Sequence, residues 1–137
     1  MDRLITFKTA ELAKDRKFNV ECFNYYQDSH RAGVKNINSP LTNNLIDELH
    51  EEDKYCIIFY TAPSQSVLQK WLREEHNIHI WASCKTNDDG KTIFIPHGRT
   101  IPDTIKNRLV VDIIPYSTHN TYEQAIEEAL FEALNLI

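Results

Sequence analysis

Residues 78–95 decide the fold class, and they read Ile78-His79-Ile80-Trp81-Ala82-Ser83-Cys84-Lys85-Thr86-Asn87-Asp88-Asp89-Gly90-Lys91-Thr92-Ile93-Phe94-Ile95. Apolar residues at the even positions from 78 to 84 alternate with polar or larger side chains, which is the two-residue period of a strand with one apolar face. The Asn-Asp-Asp-Gly segment is a hairpin signal. The return strand runs from Lys91 to Ile95, and Pro96 is expected to end it. The stretch therefore predicts an antiparallel pair of strands.

Two amphipathic helices flank this pair. The first follows Pro63, with Ser64 or Ser66 as its N-cap, and its apolar stripe is Val67, Leu68, Trp71 and Leu72. Its end is expected at His76 and Asn77, because Asn tolerates the left-handed conformation in which many helices finish. The second spans residues 121–136, with Thr121 as N-cap, Gln124 completing a capping box, and apolar residues at three- and four-residue spacing.

A third strand is predicted over residues 108–114, which are apolar on both faces except for Asp112, after a loop over residues 98–106. Residues 63–137 thus form a helix-β-β-β-helix core. The less regular residues 1–62 suggest a helix over 7–17 capped by Thr6 or Thr9, a strand over 20–26, a loop over 27–44, a helical turn over 45–50 and a strand over 55–60. We expect one α+β domain over residues 1–137. Its mainly antiparallel sheet carries the two strong helices on one face, and the N-terminal helix-strand unit extends it.

Composition excludes several classes of protein. A chain of 137 residues fits one domain. Its longest run of hydrophobic residues is six, from Tyr55 to Tyr60, so no membrane span or secretory signal is predicted. The three Cys at positions 22, 56 and 84 contain no C-x-x-C pair, which disfavours a disulfide framework and a zinc knuckle. We therefore expect a cytoplasmic protein without a membrane partner.

The net charge of −5 is unevenly distributed. Residues 37–66 and residues 121–137 each carry a net charge of −4, whereas residues 67–120 carry +1. Since phosphate neutralisation supplies most of the affinity of a duplex-binding protein, a nucleic-acid partner is the less favoured reading. A basic patch around the strands stays open as an alternative, with the candidates Lys85, Lys91, Arg99, Lys106 and Arg108.

Several aromatic side chains fall off the expected apolar faces, and exposed aromatics often mark an interface. Trp81 lies on the polar face of its strand beside His79, and Tyr25 and Tyr26 place one ring on each face of theirs. Phe131 lies opposite the stripe of the last helix, which suggests contact with a second copy of the chain and a homodimer. The alternative is that the first half of the chain covers these rings.

Catalytic and metal-binding readings are weaker. Asp112, in an otherwise apolar strand, could form a site with His97 or His119 if it were buried; the plainer reading places it in solvent at a sheet edge. His76 and His79 could offer two metal ligands, but no nearby Cys or carboxylate completes a set. Cys22, Cys56 or Cys84 could pair with a His as a nucleophile, but a strand Cys is usually a small buried apolar residue. No cofactor is expected, because no Gly-rich phosphate loop is present.

The helix-β-β-β-helix order resembles the double-stranded RNA-binding domain, and Ala125, Ala129 and Ala133 resemble its Ala-rich last helix. That domain binds phosphates from a Lys-rich start to the last helix. Here the corresponding stretch is His119-Asn120-Thr121-Tyr122-Glu123-Gln124, and the helix carries four Glu and no Lys. The resemblance is therefore one of topology, and it does not carry the function over.

Three segments resemble a family of small proteins from gut bacteria and their phages and prophages. Residues 62–80 are similar to the family's A-P-T-Q-S-L-L-Q-K-W-L-R-E segment leading to H-N-I-H-I. Residues 121–137 are similar to its ending T-Y-E-E-A-L-E-x-x-L-x-E-A-L-K-L-I, and residues 9–18 to its opening T-A-x-L-A-K-x-x-x-F. The resemblance implies an accessory gene of mobile or phage DNA in a bacterial host cell, and it implies no reaction.

The leading hypothesis is a non-enzymatic protein-binding module that engages a host or phage protein. A nucleic-acid or nucleotide-binding domain is the first alternative, and a small hydrolase centred on Asp112 with His97 or His119 is the second.

Overall fold

The computed structural model describes residues 2–27, 35–44, 58–100 and 112–137. The chain divides into two compact units, Met1–Ser64 and Gln65–Ile137. Three helices and two antiparallel sheets are described, which confirms the predicted α+β class. In these four ranges, no helix combines the length and the apolar character needed to cross a membrane.

The first unit contains helix α1 (Phe7–Asp15) and strands β1 (Cys22–Gln27), β2 (Lys35–Leu41) and β3 (Phe59–Thr61). The strands form an antiparallel sheet in the order β2-β1-β3. Thr6 caps α1 as one of the two predicted caps, because its hydroxyl accepts a hydrogen bond from the Thr9 amide. Phe7 of α1 packs edge-on against Tyr26 and Tyr60, at ring-centroid distances of 5.6 and 5.4 Å. Aromatic contacts therefore join the helix to the sheet.

Helix α1 ends in a Schellman motif. The Phe18 amide donates to the Ala13 carbonyl and the Lys17 amide to the Lys14 carbonyl, both at 3.0 Å. Lys17 has φ 68° and is exposed. This left-handed conformation costs an L-residue about 1–2 kcal/mol, because its Cβ approaches the following carbonyl.

We expect Lys17→Gly to stabilise the protein by about 0.5–1 kcal/mol, the relief of Cβ crowding being partly offset by the greater entropy of Gly in the unfolded chain. Urea denaturation followed by circular dichroism measures this change. Glu11→Gly, at an exposed position in the middle of α1, is the matched control, and we expect it to destabilise by about 1 kcal/mol. Destabilisation by both variants would contradict the capping account.

The second unit contains helix α2 (Gln65–His76), strands β4 (Ile78–Thr86) and β5 (Thr92–Thr100), and helix α3 (Tyr122–Asn135). Asn77, between α2 and β4, has φ 55°, as predicted for the end of that helix. Strands β4 and β5 pair from Ile78↔Thr100 to Thr86↔Thr92 around the predicted turn. Thr121 caps α3 by accepting from the Gln124 amide at 3.1 Å, and the predicted apolar stripe of α3 is buried.

Pro96 does not end the return strand, and the prediction that it does is wrong, because β5 continues through Pro96 to Thr100. The amide and carbonyl of Phe94 bond to His119, on the side of β5 away from β4. Amides two residues apart point to the same side of a strand, so the Pro96 nitrogen also points away from β4. The missing N–H of Pro96 therefore removes no hydrogen bond between β4 and β5.

The third strand predicted over residues 108–114 falls partly outside the described residues, which resume at Asp112. From there the chain forms two isolated antiparallel bridges to β5, Arg99↔Asp112 and Phe94↔His119. Between them the Ile113 amide donates to the Gly98 carbonyl at 2.9 Å. Pro115 lies between the bridges, where a residue without an N–H interrupts regular pairing. Strand β5 is thus bordered by β4 on one side and by residues 112–119 on the other.

Two further expectations are corrected. The N-terminal strands pair among themselves as a separate sheet, whereas one extended sheet was expected. Strand β2 lies within the predicted loop over residues 27–44 and contains Pro40. Because β2 pairs with β1 and lies at the end of the sheet order, it is an edge strand, where Pro and polar residues are tolerated. The predicted helical turn over residues 45–50 and most of the strand over 55–60 lie outside the described residues.

Candidate binding surface on the β4–β5 hairpin

The two faces of the β4–β5 hairpin differ in their environment. Residues paired across an antiparallel ladder share a face. On one face, Ile78, Pro96 and Gly98 are buried, and Phe94 packs edge-on against Tyr122 of α3 at 6.4 Å. The opposite face, here called the hairpin face, carries His79, Trp81, Ser83 and Lys85 from β4, and Ile93, Ile95, His97 and Arg99 from β5.

Trp81 is the centre of the contacts on the hairpin face. The His97 ring stacks on it, with 5.2 Å between ring centroids and 13° between ring planes. The Arg99 guanidinium carbon lies 5.3 Å from the Trp81 ring centroid, a cation–π contact. Trp81 stays partly exposed, as does His79, whereas Ile95 is 8 % exposed and forms the floor of the face. The indole is thus held in a fixed orientation at the surface.

Two polar contacts extend this cluster. The Ser83 hydroxyl and His97 Nε2 share a hydrogen bond of 2.6 Å. Arg99 Nε donates to Asp112 Oδ1 at 2.9 Å, with the two side chains 50 % and 59 % exposed. An exposed ion pair of this kind stabilises the fold by about 0–1 kcal/mol. Its main effect is that Arg99 is positioned over Trp81 with its charge balanced by Asp112.

The end of the hairpin face nearer the turn holds a second pair. Lys85 Nζ lies 5.7 Å from the centroid of the Tyr116 ring, and Tyr116 is 70 % exposed. Tyr116 was missed by sequence reasoning, because it lies outside any periodic segment. The sequence feature that points to Tyr116 is its position directly after Pro115, at the end of the strand predicted over residues 108–114.

The five basic-patch candidates do not form one cationic cluster among the described residues. Lys85 and Arg99 share the hairpin face, but six intervals along the pairing register separate them, which corresponds to roughly 20 Å. Lys91 lies at the turn, and Arg99 is paired with Asp112. Lys106 and Arg108 lie outside the described residues.

The other predicted interface residues are not among the residues of the hairpin face. Tyr25 packs against Phe59 at 5.6 Å, and Tyr26 packs against Phe7 and donates its hydroxyl to the Ile5 carbonyl at 2.8 Å. Both rings belong to the first unit, on opposite faces of β1. Phe131 is half-buried in α3.

The arrangement offers little for the hydrolase reading. Asp112 is exposed and bonds to Arg99, as the plainer reading predicted. His119 pairs with Phe94, so it lies on the face opposite Asp112. His97 shares the face of Asp112 and bonds to Ser83, but this contact lies on an exposed strand surface.

A metal site and a reactive Cys22 find no support among the described residues. The expectation of a buried strand Cys is wrong for Cys84, which is exposed towards the end of β4, and Cys56 lies outside the described residues. Among the described residues no group of three His, Cys, Asp or Glu could hold a metal ion, and His76 packs against Trp71 at 4.6 Å. Burial raises the pKa of the Cys22 thiol to about 11. Cys22 is therefore a neutral thiol at physiological pH, and the reactive thiolate form is disfavoured.

Comparison with known proteins adds no assignment. No protein-family model matches the chain, and no similar protein was found among curated proteins or solved structures.

Proposed function

We propose that this protein is a non-enzymatic protein-binding module whose partner docks on the hairpin face around Trp81. The supporting observation is the ordered cluster in which His97 and Arg99 both contact the Trp81 ring. Trp, Tyr and Arg are the side chains that most often dominate protein–protein binding energy. Because the contacts restrict Trp81 and Arg99 before binding, less side-chain entropy is lost when a partner docks.

The charge distribution favours a protein over a nucleic acid as the partner. Phosphate recognition needs several converging cations, but Asp112 balances Arg99, and Lys85 lies at the far end of the face. Residues 121–137 add a net charge of −4 in the same unit. Protein interfaces usually have an aromatic centre with little net charge and a polar border, and the hairpin face around Trp81 has this composition.

The protein is proposed to be an accessory protein of a phage or prophage that acts in the cytoplasm of the bacterial host. This proposal rests on the resemblance of residues 62–80 and 121–137 to phage and prophage proteins. The partner is accordingly proposed to be a host or phage protein, and no cofactor is part of the proposal.

The test is affinity capture followed by a binding measurement with the purified partner. We expect Trp81→Ala to weaken the partner's binding by about thirtyfold, as loss of a side chain contributing 2 kcal/mol requires. Phe23→Ala is the matched control, because Phe23 is a 52 % exposed aromatic residue of the first unit, and it should leave affinity unchanged.

Three results would count against the proposal. Equal affinity of the Trp81→Ala variant would remove the hairpin face from binding. Equal weakening by Phe23→Ala would show a general loss of folded protein. Binding of single-stranded or duplex nucleic acid at low salt, reduced by Lys85→Ala, would favour the nucleic-acid alternative.

A further inference from the structure

The outer edges of β3 and β4 differ in whether their outward backbone groups have hydrogen-bond partners. In the first unit, side chains occupy the backbone groups of β3 that point away from β1. Asn43 Oδ1 accepts from the Thr61 amide at 3.0 Å, and Lys14 Nζ donates to the Phe59 carbonyl at 2.8 Å. These contacts close β3 against pairing with a further strand.

The outer edge of β4 is open over residues 82–86. Because Phe94 bonds to His119, its partner Cys84 points its amide and carbonyl away from β5. The same holds for the other even-numbered residues of β4. Gln69 of α2 donates to the Ile80 carbonyl at 3.2 Å and covers that part of the edge. Among the described residues, none bonds to the outward backbone groups of Ala82, Cys84 and Thr86.

Of the usual protections of an edge strand, this open segment has a single lysine. Residues 83–86 are exposed, and residues 82–86 contain no Pro or bulge and one charged residue, Lys85. At this end of the hairpin, residues 83–86 of β4 are exposed, whereas Phe94 of β5 bonds to His119 and packs against Tyr122, so β4 is the open side of this sheet. Pairing with another strand would extend it.

We infer that residues 82–86 at the outer edge of β4 pair with the same segment of a second copy of this chain, antiparallel and centred on Cys84. The pairing forms about six backbone hydrogen bonds and joins two hairpins into a four-stranded sheet. The inference goes beyond the proposed function, because it uses the β4 backbone edge rather than the hairpin face.

The sequence of the segment suits a two-fold partner. In this register Lys85 faces Ser83 of the second copy, so no like charges lie directly opposite one another. Asp88 in the turn of one copy lies opposite Ile80 of the second copy, next to the Gln69 that bonds to that Ile80. Arg73 lies one helical turn beyond Gln69 on α2 and is exposed, so it offers an opposite charge to the acidic turn.

Sedimentation velocity of the full chain over a hundredfold concentration range tests this inference. We expect a monomer–dimer equilibrium that Cys84→Pro weakens at least tenfold, because Pro removes the outward amide at the centre of the pairing. That amide makes no bond to β5, so circular dichroism should show retained β structure. Cys84→Ser keeps the amide and should still dimerise. A monomer at every concentration, or equal dimerisation of Cys84→Pro, would overturn the inference.

Disulfide trapping gives a second measurement that does not depend on the Pro variant. In a hydrogen-bonded antiparallel pair the Cα atoms lie about 5.5 Å apart, which a disulfide can bridge. In a Cys56→Ser chain, mild oxidation should yield a covalent dimer through Cys84, since Cys22 is buried. Absence of this product would contradict the register. A monomer whose partner capture is lost in Cys84→Pro would assign the edge to the partner and overturn the second-copy inference, whereas Trp81→Ala should leave self-association unchanged.

Discussion

Asn43→Ala is expected to lower the free energy of unfolding by about 3 kcal/mol. Asn43 is 3 % exposed and connects two distant parts of the first unit. Its Nδ2 donates to the Phe18 carbonyl at 2.8 Å, and its Oδ1 accepts from the Thr61 amide at 3.0 Å. Alanine leaves both backbone groups without their partner, and each such buried group costs about 1–3 kcal/mol. The loss also opens the outer edge of β3.

Urea denaturation followed by circular dichroism measures this loss. Asn44→Ala is the matched control, because Asn44 is exposed and its described hydrogen bond uses its backbone amide. We expect it to change stability by less than about 0.5 kcal/mol. Asn43→Asp keeps the acceptor for Thr61 and loses the donor to Phe18, so it should also destabilise. Equal stability of Asn43→Ala and Asn44→Ala would show that the bridging amide does not hold the unit together.

Gly98→Ala is expected to destabilise the protein by about 2 kcal/mol through overpacking. A Cβ at position 98 would lie 2.7 Å from Ile114 Cγ1 and 3.1 Å from Ile113 Cγ1. The Gly98 carbonyl also accepts from the Ile113 amide, so the backbones cannot separate without losing this hydrogen bond. Glycine at position 98 thus allows residues 112–114 to lie against β5.

A double-mutant cycle separates this contact from a general effect of Ala at position 98. Ile114→Ala removes the nearest atom that the new methyl group would meet, at 2.7 Å, while Ile113 Cγ1 stays at 3.1 Å. The substitution also creates a cavity of its own. If the close approach causes the destabilisation, the double variant should be at least 1 kcal/mol more stable than the sum of the single effects predicts. Additive effects in thermal or urea denaturation would refute the packing explanation.

The helices and the hairpin could be predicted from the sequence because their signals are local. The Thr121 cap, the stripe of α3 and the left-handed Asn77 each depend on residues within one or two turns of the chain. Alternation from residue 78 placed Trp81 and His79 on the less apolar face, and the register confirms that placement. In these elements, propensity and packing favour the same conformation.

The extent of β5 could not be predicted because it depends on pairing between distant segments. Pro96 ends a strand when its nitrogen faces a hydrogen-bonded neighbour, and the sequence does not show which edge it faces. Polar β2 was missed for a related reason, since its pairing with β1 outweighs its weak strand propensity.

The side-chain contacts on the hairpin face could not be predicted either, because they depend on the pairing register of β4 and β5. Arg99 and Asp112 were both singled out, but in separate hypotheses, one as a basic-patch residue and the other as a catalytic acid. Their ion pair places them in one cluster. It balances the positive charge that the basic patch needed from Arg99 and the negative charge that the hydrolase hypothesis needed from Asp112. The Ser83–His97 hydrogen bond depends on a diagonal contact across the ladder, which sequence spacing does not reveal.

The central claim is that a protein partner docks on the hairpin face, and site-specific photo-crosslinking tests it most directly. A photoreactive phenylalanine replaces the exposed Ser83, beside an intact Trp81, or replaces Phe23 in the first unit as the control. In host cells, the account predicts a discrete covalent adduct from position 83 with a protein other than a second copy of this chain, and none from position 23. An adduct with nucleic acid at position 83, or the same protein adduct from both positions, would contradict it.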